Sequence, residues 1–110
     1  MKTIKDILNE MKNAVETQAL VSPTQWLDWG LSLNTLWQDL KQEMTKYEMA
    51  YKSEIVELIE QGKKISESKL IVESKSENYK IYSYLKGRDK LIEEFIRLAK
   101  KRAERESDYG

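Results

Sequence analysis

Two amphipathic segments of unusual length dominate the chain, one from Ser22 to about Gln61 and one from Glu77 to about Glu106, with a short break at 62–76 between them. Each repeats apolar residues at helical spacing, and the single proline, Pro23, stands at the start of the first. Two long helices in 110 residues leave little third element to pack against. Each apolar stripe must be covered by the other helix or by another chain. The spacing predicts an all-α fold in one domain, 1–110: a long antiparallel helical hairpin of coiled-coil type.

The details of the hairpin follow from its punctuation. Ile4, Ile7, Leu8, Met11 and Val15 recur at three- and four-residue steps, predicting a helix over about 3–20 with Thr3 as its N-cap. Ser22, Pro23 and Gln25 form a capping-box signature for a second helix over 23–61. Its seam is Trp26, Gly30, Leu33, Trp37, Leu40, Met44, Tyr47 and Tyr51. The seam continues through Ile55, Leu58 and Ile59 after a four-residue shift of phase, and Trp29, Leu36 and Val56 widen its flanks. At about 1.5 Å per residue this helix is on the order of 55–60 Å long. Gly62 is its stop.

Residues 66–74, with Leu70, Ile71 and Val72, read as a helix of one or two turns that reverses the chain, with a strand as the alternative. Ser74 or Ser76 caps the last helix, 77–106. Its seam runs Tyr79, Tyr82, Leu85, Ile92, Phe95, Ile96, Ala99 and Ala103, interrupted by Asp89, a polar residue placed to fix register. The tail 106–110 is expected to fray.

Composition narrows the chemistry. Cys and His are absent, which removes thiolate nucleophiles, imidazole bases, disulfides and N/S zinc sites. The glycines at 30, 62, 87 and 110 are too scattered to cradle a phosphate. Glu54, Glu57 and Glu60 read as a solvated face without the convergence a metal site needs. No catalytic residue, cofactor or metal is expected, and no enzymatic activity. With 19 basic and 19 acidic residues the net charge is zero. No apolar stretch suits a membrane span or a leader, so a cytoplasmic location is expected.

The charge is nevertheless polarised. Residues 86–105 hold eight basic and four acidic groups, whereas residues 1–62 hold six and ten. Lys86, Lys90, Lys100, Lys101, Arg102 and Arg105 could therefore track phosphates of a nucleic acid; they could equally complement the helix end or pair with the acidic helix. Lys100, Lys101 and Arg102 are consecutive, so at least two must face water. Tyr79 and Tyr82 fall at core spacing, and Tyr84 leaves the seam. Trp26 and Trp37 read as core, while Trp29 fits core and partner contact equally. Three indoles at one end are more than a short N-terminal helix covers, which predicts a homodimer or a partner there. Trp29, Tyr84, Arg88 and Arg97 are the candidate partner-binding residues.

Gln61-Gly62-Lys63-Lys64-Ile65-Ser66, the short helix, Tyr79 and Tyr82, and then Ile92-Glu93-Glu94-Phe95-Ile96-Arg97-Leu98-Ala99-Lys100 resemble small helical accessory proteins of bacteriophages and prophages. Trp26 and Leu27 ahead of the long helix fit as well, so the resemblance covers about 24–105. It implies a phage-encoded protein of the host cytoplasm that binds a protein partner, either replication or recombination machinery or a host defence enzyme that it inhibits. A nucleic-acid-binding accessory and a structural assembly coiled coil are the alternatives.

Overall fold

In the computed structural model, which describes the backbone of residues 2–109 and the side chains of residues 2–105, the chain forms four helices and no strand among the described residues. They are α1 (Ile4–Glu16), α2 (Pro23–Glu60), α3 (Ile65–Lys75) and α4 (Glu77–Tyr109). α2 and α4 pack against each other as an antiparallel hairpin. Along α2 the contacts pass from Trp26 to Gly30, Trp37, Tyr51 and Glu54, while their α4-side partners fall from Arg102 to Ala99, Asp89, Tyr79 and Ser76. Packing divides the chain into two compact units, Met1–Asp39 with Asp89–Gly110, and Leu40–Arg88.

In the first unit α1 completes a three-helix cluster. The Thr3 hydroxyl accepts from the Asp6 amide at 3.2 Å and the Asp6 carboxylate accepts from the Thr3 amide at 3.0 Å, a capping box with Asp in place of the usual Glu. These bonds hold the Asp6 carboxyl below its ordinary pKa. Ile7, Leu8, Met11 and Ala14 of α1, Trp26 and Leu33 of α2, and Ile92, Ala99 and Ala103 of α4 are the buried apolar residues of this unit. The two long helices come close at Gly30, where a Cβ would just touch the Ala99 Cβ at 3.4 Å.

Two expectations for α1 are corrected. The helix stops at Glu16 rather than about residue 20, because Gln18 turns into the left-handed region at φ 53°. Its amide donates to the Val15 carbonyl and the Ala19 amide to the Ala14 carbonyl, a Schellman stop. The buried stripe also includes Ala14 rather than Val15, which is exposed, so the inner face is rotated slightly from the predicted one.

In the second unit Gly62, at φ 95°, makes the same Schellman stop for α2, with Gly62 donating to Ile59 and Lys63 to Leu58. α3 is longer than the one or two turns expected, and no strand forms there. Its Val72 and Ser68 are buried, and the Ser68 hydroxyl donates to the Lys64 carbonyl at 2.8 Å, so the small residue closes the packing without an orphaned donor. The Ser76 amide donates to the Val72 carbonyl, and the Ser76 hydroxyl accepts from the Tyr79 amide at 3.2 Å. One residue thus ends α3 and caps α4, which decides between Ser74 and Ser76. Glu54 does not lie on a solvated face: it is half-buried and accepts from Ser76 and Asn78. Val56 faces solvent and does not widen the seam. α4 continues to Tyr109, so the backbone of residues 106–109 is helical rather than frayed as expected; Gly110 lies outside the described residues.

Candidate partner-binding surface

The surface of interest lies on the first three turns of α4. Their inner face is set by tyrosines. The Tyr51 ring meets Tyr79 edge-on at 5.1 Å and Tyr82 tilted at 5.1 Å, and Leu85 is buried one turn on. Burial pushes the Tyr51 and Tyr82 hydroxyls above their ordinary pKa. Lys52 bonds Glu48 at 2.8 Å, which holds the Glu48 carboxyl low and raises the Lys52 ammonium.

With positions 79, 82 and 85 turned inward, helix geometry sends Ile81, Tyr84 and Arg88 to a neighbouring face, three and four residues apart. Ile81 is 37% exposed and Tyr84 61% exposed, while Arg88 is half-buried. The Arg88 Nε donates to the Tyr84 hydroxyl at 3.0 Å, with the guanidinium carbon 5.5 Å from the ring centroid. The two long side chains therefore form one pre-arranged unit, with the two terminal guanidinium nitrogens outside that bond. On the same face Lys80 pairs with Glu77 at 3.5 Å. Lys86 lies round the helix, its ammonium 6.0 Å from the Tyr82 ring.

The other candidate residues belong to the first unit and do not form one site. Trp29 is half-buried, edge-on to Trp26 at 5.0 Å, and its indole donates to Glu10 at 3.0 Å. The Lys2 ammonium, 2.6 Å away, and this indole hold the Glu10 carboxyl below its ordinary value. Arg97 is exposed and bonds Glu93 one turn back at 2.8 Å, and no described contact joins it to Trp29. Only Tyr84 and Arg88, of the four, are brought together.

Of the basic residues, Lys86, Lys90, Lys100, Lys101 and Arg105 are exposed. Arg102 is half-buried with its guanidinium carbon 5.9 Å from the Trp26 ring, so two of the three consecutive cations face water and the third packs. Asp89, placed on the seam by its spacing, accepts from the Trp37 indole at 2.6 Å. Glu10, its counterpart on α1, carries no such signal, because it sits between apolar positions as any solvated acid does.

A groove of about 410 Å³ beside Trp29, between α1 and α2, is lined by Lys2, Ile7, Gln25 and Asp28 among others. No group of carboxylates suited to a metal ion occurs among the described residues, and no helix among them is long and apolar enough to cross a membrane. No family model matches this chain, and comparison with curated proteins and with solved structures gives no significant match.

Proposed function

We propose that the chain is a non-enzymatic docking protein that engages a protein partner through the outer face of α4, in the manner of small phage and prophage accessory proteins. The partner is replication or recombination machinery, or a host defence enzyme that the docking inhibits. The observation that carries this reading is the face formed by Ile81, Tyr84 and Arg88, where an exposed aromatic ring and an arginine are held together before any partner arrives. Tyr and Arg are the side chains most enriched at binding hot spots, and pre-arrangement lowers the ordering entropy of association. The absence of Cys and His supports a non-catalytic role.

The expectation of a homodimer rests on indoles that one short helix cannot cover. α4 shares that task with α1, through Arg102 over Trp26 and Asp89 on the Trp37 indole, so the docking face is assigned to α4 instead. A photo-crosslinking amino acid at position 84 tests the proposal in bacterial lysate, against the same group at exposed Glu60. A discrete protein adduct from position 84, weakened in an Arg88→Ala background, is the expected result. Equal labelling from both positions overturns it.

The exposure of Lys100, Lys101 and Arg105 at one end of α4 favours nucleic-acid binding as the second reading. Lys100→Gln with Lys101→Gln should then flatten the salt dependence of binding to single- or double-stranded DNA by about one unit of slope per lost contact. Arg102 is left intact in that test because it packs on Trp26. Absence of salt-sensitive binding at low ionic strength would sink this second reading.

A further inference from the structure

We infer that the Tyr84–Arg88 unit is a carboxylate-reading site, and that the partner segment it takes is an acidic peptide with an apolar or aromatic residue beside its acid. This inference rests on the docking reading and adds the chemistry of the partner. Arginine recognises a carboxylate best with two parallel N–H donors. Here Nε is engaged by the Tyr84 hydroxyl at 3.0 Å, so the side-on edge is occupied and the two terminal nitrogens remain for an end-on pair. The tyrosine also fixes the guanidinium plane, which removes much of the rotamer freedom that a long side chain would lose on binding.

The surrounding charge points the same way. Between positions 80 and 90, α4 carries Lys80, Lys86, Arg88 and Lys90 against a single acid, Asp89. That acid accepts the Trp37 indole at 2.6 Å, Lys80 pairs with Glu77, and Lys86 interacts with Glu48 of α2 while Glu48 itself bonds Lys52 at 2.8 Å. Between 80 and 90 the basic residues outnumber the acids four to one, so an approaching carboxylate meets a positive excess from this stretch of helix, with Glu77 and Glu48 as the acids that offset Lys80 and Lys86. The apolar half of the recognition comes from Ile81, which is 37% exposed one turn before Tyr84. A nucleic acid is left as an outcome of the test, since the Tyr84 ring is 61% exposed and the arginine bonds its hydroxyl.

The test is selection of a randomised short-peptide library on the wild-type chain, with counter-selection on Arg88→Ala. Recovered peptides should be enriched in Asp or Glu next to Phe, Leu or Tyr. A synthetic peptide of the consensus should lose about tenfold in affinity when its acid is replaced by the amide, and a similar factor on Arg88→Lys, which keeps the charge and loses the fork. Tyr84→Phe, which removes only the hydroxyl, should weaken binding by roughly threefold. Circular dichroism of each variant separates a lost contact from a lost fold.

Recovery of neutral or basic peptides, Arg88→Lys binding as well as wild type, or displacement of the consensus peptide by oligo-dT would each overturn the carboxylate assignment. If position 84 crosslinks a protein while no acidic peptide is recovered, docking stands and the carboxylate chemistry falls. If neither is seen, both fall.

Discussion

In the unit that joins α1 to the first part of α2 and the last part of α4, Met11, Leu33 and Ile92 have no solvent exposure, and the indoles of Trp29 and Trp37 each donate to a carboxylate at the edge. In the unit of residues 40–88 the centre is held by Leu40, Val72 and Leu85, by a buried serine and by three tyrosines in edge-on and tilted contact. Both are three-helix clusters using the same two long helices, yet one is a fully enclosed apolar core with polar clasps and the other a half-buried aromatic surface. The difference follows from the third helix. α1 offers an apolar face of four successive inward positions, whereas α3 buries only Ser68 and Val72. What the third element lacks in apolar area, the long helices supply as tyrosine, whose ring packs while its hydroxyl stays near water.

The largest expected effect separates the units directly. Leu33→Ala removes a fully enclosed side chain and should lower stability by about 3–5 kcal/mol, read from urea unfolding. Leu85→Ala, at 8% exposure beside tyrosines that can settle into the space, should fall nearer about 2 kcal/mol. Equal losses would break the contrast. Leu40→Asp, by placing an unpaired carboxylate at the seam, should prevent folding of the second unit.

Next come the polar clasps. Trp37→Phe leaves the Asp89 carboxylate without its indole donor and should cost about 1–3 kcal/mol. Ser76→Ala removes the cap of α4 and a donor to Glu54, and should cost about 1 kcal/mol. A larger loss at Ser76 than at Trp37 would mean that the turn between α3 and α4, rather than the indole clasp, is the more important polar contact.

The two helix stops give a smaller and oppositely signed pair. Gln18 and Gly62 occupy the same left-handed position of the same motif, but only one of them is a glycine. Gln18→Gly should stabilise by about 1 kcal/mol and Gly62→Ala should destabilise by about the same amount. Thermal unfolding of the two variants checks both signs.

These stops also show where the sequence was legible. Gly62 announces its helix end, and Ser22 and Pro23 announce a start, because the residue type is itself the structural requirement. Gln18 announces nothing, because glutamine is not a residue type that marks the left-handed position, and the helical spacing predicts an end four residues beyond the observed one. The same holds for the candidate surface. Tyr84 leaves the seam by spacing alone, and its exposure could be read from the periodicity. Its bond to Arg88 needed the side-chain geometry. Glu54, Glu57 and Glu60 look alike in sequence, but only Glu54 is within reach of Ser76 and Asn78, a consequence of where α3 ends.

The smallest expected effect is one of pH, and it tests whether the tyrosine centre contributes to stability. Acid does not discriminate between the units, because Asp6 and Glu10 in the first and Glu48 in the second are all held below their ordinary values. Stability from those carboxylates is present above the unfolded pKa and is lost in both units as pH falls through the folded one. Alkali does discriminate. Tyr51 and Tyr82 are raised above the ordinary value of 10.0, chiefly by burial, and Lys52 is raised by Glu48. A group raised in the folded state contributes stability that is complete below the unfolded pKa and disappears as pH climbs through the folded one. The second unit should therefore weaken above about pH 10 while the first does not. The probes are built in, since Trp26, Trp29 and Trp37 all lie in the first unit. Between neutral pH and just above 10, the urea midpoint from total helicity should fall further than the midpoint from tryptophan fluorescence. Coincident midpoints throughout would show that the two clusters, however different their chemistry, melt as one.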